Sequence, residues 1–392
     1  MSMHRDASTT SRTGQVPSAD INQPKVVTAG THRVCTPGQT WSRILPLLAR
    51  AGITRLADVT WLDDIGIPVY QAIRPKSRSL SVSQGKGITA ELAKVSAVME
   101  SIESWSAERV PVSVQQARAH SLALPYDVGA LTRPGYASIA RTMRLDWCSA
   151  RDLRTAETTH VPIGVVSLDW QLEDTWSVAP FFSDSNGLAS GNTVEEATLH
   201  GLCELLEREA LATNDRWRID ASSITGEHAK SLHELLIDAG NEVEVDWLRN
   251  ECGIPAFSAT LRIGSFPVPC MGYGAHLDAD VALCRALSEA AQSRATVISG
   301  ARDDVSAAVY EWRGAGTTQP IPSTRATFTE VVDVGKRAGL IASRDVAADL
   351  ATLVGTLPLA MGPFLVVDLS PAVGVHVVKV IAVGMHKQRG HA

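Results

Sequence analysis

The sequence predicts an α/β chain of the mixed α+β kind, and three observations predict it. Long stretches, 89–108 and 192–208 among them, repeat apolar side chains at helical spacing. Short runs such as Val243-Glu-Val-Asp-Trp-Leu and Pro255-Ala-Phe-Ser-Ala-Thr-Leu-Arg-Ile are rich in the residues that strands favour. These strands and helices are intermingled along the chain. The 392 residues, 45% hydrophobic and 20% charged, suit a folded globular chain, and no linker cuts residues 31 to 392.

Taken in order, residues 1 to 30 are rich in Ser, Thr, Asp, Gln and Pro without an apolar period. They read as a disordered N-terminal tail, with one domain over 31–392. Thr40 to Ala51 reads as a helix on Trp41, Ile44, Leu45 and Leu48. Residues 52 to 74 read as short strands and turns. Ser79 to Gly87 is a Ser/Gly-rich loop, and Thr89 caps a helix that runs to Glu108. Val161 to Leu168 looks strand-like, and Phe182 to Gly191 is a polar, glycine-containing loop. A second long helix follows from Asn192. Strands are expected at 243–248, 255–263 and 268–272, then a third long helix from Asp278. A helix over Thr327 to Arg337 and strands over 364–369 and 375–381 complete the chain. The uncharged run Leu350 to Val367 reaches membrane-span length, yet it holds Gly355, Pro358, Gly362 and Pro363. It reads as a helix end, a turn and a buried strand.

The bulk numbers exclude several roles. Net charge is −6 and no basic tract stands out, which argues against nucleic acid. The six cysteines form no CxxC pair, so neither a zinc site nor a disulfide framework is expected, and a reducing cytoplasm fits. The start of the chain lacks the apolar core of a signal peptide, and no membrane role is expected.

Each long helix carries acidic or amide side chains on one face. They are Ser96, Glu100 and Glu103; Glu196, His200, Glu204 and Glu207; and Arg285, Glu289 and Gln292. At 100° per residue, the second set falls within about 80°, opposite Leu199, Leu202, Leu205 and Leu206. Like charges at this spacing repel, and a metal ion reverses the sign of that interaction. A solvated acidic face, with Thr193-x-x-Glu196 as a plain capping box, explains the spacing too. Ser81, Ser83, Gln84 and Lys86 precede one helix and Asn192 another, and helix N-termini bind phosphate through free N–H groups. The Gly85-Lys86-Gly87 turn is not a Walker A loop, because Ile88 stands where Ser or Thr belongs.

Together these segments resemble the YcaO family, ATP-dependent enzymes that activate peptide backbone amides. The resemblance rests on Gly52-Ile-Thr-Arg-Leu-Ala-Asp-Val-Thr, Arg74-Pro, Ser81-Val-Ser-Gln-Gly-Lys-Gly87, Ser96-x3-Glu100-x2-Glu103 and Ser185-Asn-Gly-Leu-Ala-Ser-Gly-Asn-Thr193. It continues through Glu196-Ala, His200-Gly-Leu-Cys-Glu204-x2-Glu207-Arg208, Arg285-Ala-Leu-Ser-Glu289-Ala-x-Gln292-Ser-Arg294 and Gly300-Ala-Arg-Asp-Asp304. The style is similar to that of stand-alone members, including those beside TfuA-type partners, with no fused E1-like or peptide-clamp domain expected.

The resemblance implies mixed sheets packed with the motif helices around a nucleotide site, and the cofactors ATP and Mg²⁺. It implies Glu100, Glu103, Glu196, Glu204 and Glu207 as the Mg²⁺ ligands. Ser83, Lys86, Ser96, Asn192, Arg208 and Gln292 become nucleotide or phosphate contacts, with Arg285, Glu289 and Arg302 as further candidates. Glu103, Glu207 and Arg208 stand nearest the chemistry. In that chemistry a nucleophile adds to an amide carbon, the amide oxygen takes the γ-phosphoryl group of ATP, and phosphate leaves. The product is an azoline, a thioamide or a macrocyclic amidine in a ribosomally made precursor peptide. A TfuA-type or peptide-recognition partner and a homodimer are implied as well. The alternative is a non-catalytic accessory subunit that keeps the fold.

Two departures from the family pattern stand out. Ser104 follows the second Glu of the first motif, where many relatives carry Arg. The chain ends Ala382-Val-Gly-Met-His386-Lys-Gln-Arg-Gly-His-Ala392, without the proline-rich tail of azoline-forming members or the Pro-Gly-Leu-Glu of others. That favours a role other than ordinary heterocyclisation.

Overall fold

The chain enters on an antiparallel hairpin, β1 (Val26–Thr28) and β2 (Thr31–Arg33). The computed structural model describes residues 22–171, 178–213, 215–263, 268–302, 304–310, 323–325, 331, 334 and 340–385. The tail expected through residue 30 therefore needs correcting at its end. Residues 1–21 lie outside the described residues, whereas Gln23 and the Lys25 side chain are buried in the fold.

Thr36 and Gln39 form a reciprocal capping box on α1 (Pro37–Ile44), and α2 (Leu47–Ala51) follows. The sequence reads one helix here. Pro46 divides it, since proline has no N–H to donate to the preceding turn. Next come β3 (Arg55–Asp58), β4 (Val69–Ile73) and β5 (Val82–Lys86), a three-stranded antiparallel sheet. The loop expected over 79–87 is thus largely a strand. Gly85 explains why: a Cβ there would lie 2.0 Å from the backbone nitrogen of Ala97. Only a glycine lets the following helix, α3 (Ala90–Ala107), lie this close, and Thr89 caps that helix as expected.

Further along are β6 (Val114–Ala117), α4 (Ala137–Thr142), β7 (Leu145–Asp152), β8 (Thr158–Pro162) and α5 (Ile163–Val166). The strand-like run at 161–168 therefore turns into a short helix after Pro162. β9 (Leu188–Gly191) leads into α6 (Val194–Thr213). Then come β10 (Arg216–Arg218), α7 (Glu227–Asp238), β11 (Glu242–Leu248), β12 (Ala256–Arg262) and β13 (Cys270–Ala275). Asp278 caps α8 (Ala279–Ser299) by accepting from the N–H groups of Asp280 and Val281. The last elements are β14 (Thr324–Arg325), α9 (Val346–Thr356), β15 (Phe364–Asp368) and β16 (His376–Ala382). The helix expected over 327–337 falls mostly outside the described residues, as does the end of the chain from residue 386.

Two larger sheets complete the architecture among the described residues. One runs β6-β7-β15-β16-β9 with β8 also on β7; the other runs β13-β12-β11-β10-β14. β5, β9 and β13 are terminal strands of their three sheets. Each packs on a long helix, β5 on α3, β9 on α6 and β13 on α8. Each helix is rooted in its own hydrophobic cluster: Val98 and Ile102 of α3 in one, Leu283 and Leu287 of α8 in another, Leu202 and Leu206 of α6 in a third. This leaves the opposite, acidic face of each helix free to meet the others. No helix among the described residues is long and apolar enough to cross a membrane.

Candidate active site

The acidic faces do meet. A cavity of about 940 Å³ is lined by Ser96, Glu100 and Glu103 of α3, by Glu196, Glu204, Glu207 and Arg208 of α6, and by Arg285, Glu289 and Gln292 of α8. Lys86 of β5 and Asn192, just before α6, line it too. Ser83 is the exception: it is 5% exposed and does not border the cavity. Side chains alternate along a strand, so Gln84 and Lys86 face the cavity while Ser83 and Gly85 face away.

The carboxylates are held in different ways. Glu103 accepts a hydrogen bond from the Ser190 hydroxyl at 2.5 Å, which joins α3 to β9. Glu100 accepts from the Gln84 backbone N–H at 3.3 Å. Glu204 has Arg208 one turn on at 3.9 Å, and Glu289 has the Lys86 ammonium at 2.5 Å. Glu196 is committed elsewhere. One of its oxygens accepts from the backbone and side-chain amides of Asn192, at 3.2 and 3.1 Å, and the other from Val34 N–H at 2.8 Å. It secures the start of α6, so any metal would have to share oxygens already in use.

Burial sets the protonation of this cluster. It pushes Glu103 up to about 8, helped by Glu100 and Glu204, and Glu207 up to about 8, helped by Glu289. It pushes Glu204 to about 7 and raises Glu100 as well. Arg285 is pushed down to about 10 by burial and by Arg33 nearby. His200 is driven well below its ordinary value, by burial first and then by Arg33, so its ring is neutral.

Clustered carboxylates with raised affinity for protons suit a hard divalent cation, which replaces those protons with charge. Among the described residues no three acidic, histidine or cysteine side chains lie close enough to hold an ion unaided. The residues therefore fit Mg²⁺ whose shell is completed by phosphate oxygens and water, the usual arrangement for that ion. Gln292 Oε1 and His200 Nδ1 are buried without a hydrogen-bond partner among the described residues, as expected of a wall built to meet a ligand.

Sequence reasoning missed Arg33, Ser190 and Asp184, which also line the cavity, while Gln84, noted with Lys86 before the helix, does border it. The Lys379 ammonium, on β16 and 2% exposed, donates to the Asp184 carbonyl at 2.5 Å and fixes the loop before β9. Arg33 and Lys379 lie outside the acidic motifs, and no local spacing marks them.

Known proteins resemble this chain in sequence and fold. A family model described as YcaO cyclodehydratase, ATP- and Mg²⁺-binding, matches residues 84–386. An uncharacterised protein of Mycobacterium tuberculosis is 42% identical over 371 residues, covering 91% of this chain and 83% of its own length. The uncharacterised protein in the tfuA 3′ region of Rhizobium leguminosarum bv. trifolii is 35% identical over 390 residues, covering 90% of this chain and 88% of its own. The solved structure of YcaO from Methanopyrus kandleri, bound with AMPPCP and Mg²⁺, superposes with a TM-score of 0.71 at 25% identity. That match covers 93% of this chain and 94% of the other. With its three acidic helices gathered on one cavity and the family model spanning most of its length, this chain belongs to the YcaO family of ATP- and Mg²⁺-binding cyclodehydratases.

Proposed function

We propose that this protein uses Mg²⁺–ATP to phosphorylate the oxygen of a backbone amide in a ribosomally made peptide. The observation that carries the proposal is the gathering of Glu100, Glu103, Glu204 and Glu207 with Lys86, Arg208 and Arg285 around one cavity. Four carboxylates and three cations on one surface suit a metal-bearing polyanion and would hold an uncharged ligand poorly. In this reading the four glutamates hold Mg²⁺, with Glu196 fixing the helix that carries two of them. Lys86, Arg208, Arg285, Ser96 and Asn192 hold the phosphates, and Gln292 and Glu289 border them. Mg²⁺–ATP, when bound, supplies the phosphoryl group that turns a poor leaving oxygen into a good one. The protein's part is to align that oxygen, exclude water and neutralise charge as it develops.

Among the possible products, insertion of sulfur to give a thioamide is the reading one observation favours. A 35% identical relative lies in a tfuA 3′ region. A TfuA-type partner would then deliver the sulfur.

The test is the intact mass of a precursor peptide encoded beside the gene, after incubation with the protein and Mg²⁺–ATP, with and without sulfide. Exchange of one oxygen for sulfur, dependent on both ATP and sulfide, is the expected result. Loss of water without sulfide would move the assignment to an azoline or an amidine. No binding of Mg²⁺–ATP by calorimetry would overturn the catalytic reading in favour of an accessory subunit.

A further inference from the structure

The N-terminal hairpin precedes the residues matched by the family model, yet it forms part of the cavity wall. Thr28, Ala29, Gly30 and Thr31 border the cavity at its tip. Gly30 sits at φ +66°, and a Cβ there would lie 2.4 Å from Ile88 Cδ1 and 3.2 Å from Cys284 Cβ. The tip is thus pressed onto the strand-to-helix turn after β5 and onto α8, where Ile88 and Cys284 line the cavity.

The acidic part of the cavity lies farther along α3. Leu92, Ser96, Glu100 and Glu103 follow one another on the cavity face of that helix. At 1.5 Å per residue they span about 16 Å, from apolar through hydroxyl to carboxylate. A nucleoside triphosphate has the same order, with an uncharged base and sugar first and metal-bearing phosphates after.

We propose that the hairpin tip walls the base-and-sugar end of the nucleotide site, and that docking of the hairpin is coupled to nucleotide occupancy. The inference rests on the Mg²⁺–ATP reading above and extends it to residues that reading does not use.

The coupling has a physical route. Both ends of the hairpin are fastened to the first turn of α6. Gln23 donates to Glu195 at 2.7 Å on one side, and Val34 N–H donates to Glu196 at 2.8 Å on the other. Glu196 also accepts from Asn192, which borders the cavity. The buried Lys25–Asp349 ion pair adds a third anchor. A two-stranded hairpin is marginal by itself, and Val27 on its outer side is 70% exposed. The anchors make the docked form the ground state, and local opening of the hairpin is the motion a ligand can suppress. A ligand that touches only the docked form shifts the population toward it.

Hydrogen–deuterium exchange on the whole chain tests this, comparing the ligand-free protein with Mg²⁺–AMPPCP and with Mg²⁺–tripolyphosphate. AMPPCP should slow exchange at residues 26–33 by roughly tenfold or more, and tripolyphosphate, which has no base or sugar, should leave it unchanged. Gly30→Ala should weaken AMPPCP about tenfold and spare tripolyphosphate, because it strains only the tip. Equal protection by both ligands, or bound AMPPCP with no change in the hairpin, would overturn the inference and leave the nucleotide reading standing. Failure of AMPPCP to bind at all would overturn both. Should the variant fail to fold, the exchange data on the unaltered chain decide the matter alone.

Discussion

The Lys86 ammonium lies 2.5 Å from the Glu289 carboxylate and ties β5 to α8 on the cavity wall. Both side chains keep about a quarter of their surface, 24% and 28%, open. The pair satisfies itself while the cavity holds no phosphate, and each partner has a better one in Mg²⁺–ATP. Lys86→Met should therefore weaken Mg²⁺–ATP by roughly 10- to 100-fold, the worth of one charged hydrogen bond at about 1.5–3 kcal/mol. Calorimetric titration measures it; unchanged affinity would remove Lys86 from the phosphate contacts.

Protonation of the cluster should control metal affinity. Burial pushes Glu204 to about 7 and Glu103 and Glu207 to about 8, so all three carry protons at mildly acidic pH when no metal is bound. Folded values raised above the ordinary 4.5 mean that the folded state binds more protons than the unfolded one. Their contribution to stability is full below about 4.5 and is lost as pH rises to about 8. Melting without metal should thus fall across that window, while stabilisation by Mg²⁺ grows over the same range. A Mg²⁺ effect independent of pH between 6 and 9 would contradict the assignment.

Glu207→Gln separates function from stability. The substitution removes a charge that lies buried near Glu204 and Glu289. The metal-free protein should melt no lower than the original at pH 8.5, and higher if the amide packs well. Mg²⁺-dependent ATP turnover should fall by roughly 100-fold or more, as when one preorganised charged contact is lost. A lower melting point with intact turnover would reverse the role given to this residue.

Arg74 belongs to a sequence motif yet does structural work away from the cavity. Its guanidinium pairs with Glu108, both side chains 3% exposed or less, and also donates to the Ser101 carbonyl at 3.1 Å. Arg74→Met should cost about 3 kcal/mol, because it leaves the buried Glu108 with only the half-exposed Arg109 as a charged partner. Nucleotide affinity of the folded fraction should stay the same, and chemical denaturation beside calorimetry checks both halves.

Deleting residues 1–28 should lower the melting temperature, the opposite of what the composition of that segment suggests. The deletion removes Lys25 and Gln23 and leaves Asp349 and Glu195 buried without them. A loss of about 3–5 kcal/mol is expected for the ion pair. An unchanged melting curve would mean that the hairpin adds nothing to the folded state.

The legible parts of this molecule are those whose cause is local. Thr89 and Asp278 announce α3 and α8 within one turn, and the acids on α3, α6 and α8 share faces that can be counted off the sequence. What escaped depends on distant partners. Gln23 and Lys25 look like tail residues because Glu195 and Asp349 stand 172 and 324 positions away. The run 82–86 looks like a loop because nothing nearby reveals that α3 rests on Gly85. Once it is a strand, a shift of one residue decides that Gln84, not Ser83, faces the cavity.

Each of the three acidic helices is anchored in a different hydrophobic cluster, and their charged faces line one cavity. The seam between the clusters is thus held least firmly when the glutamates repel one another. A ligand that bridges α3, α6 and α8 acts on this seam as a keystone does on an arch. Heat should then loosen the helix faces around the cavity ahead of the sheets they share in the bare protein and together with them in the loaded one, so the nucleotide would govern the cooperativity of unfolding as well as its midpoint.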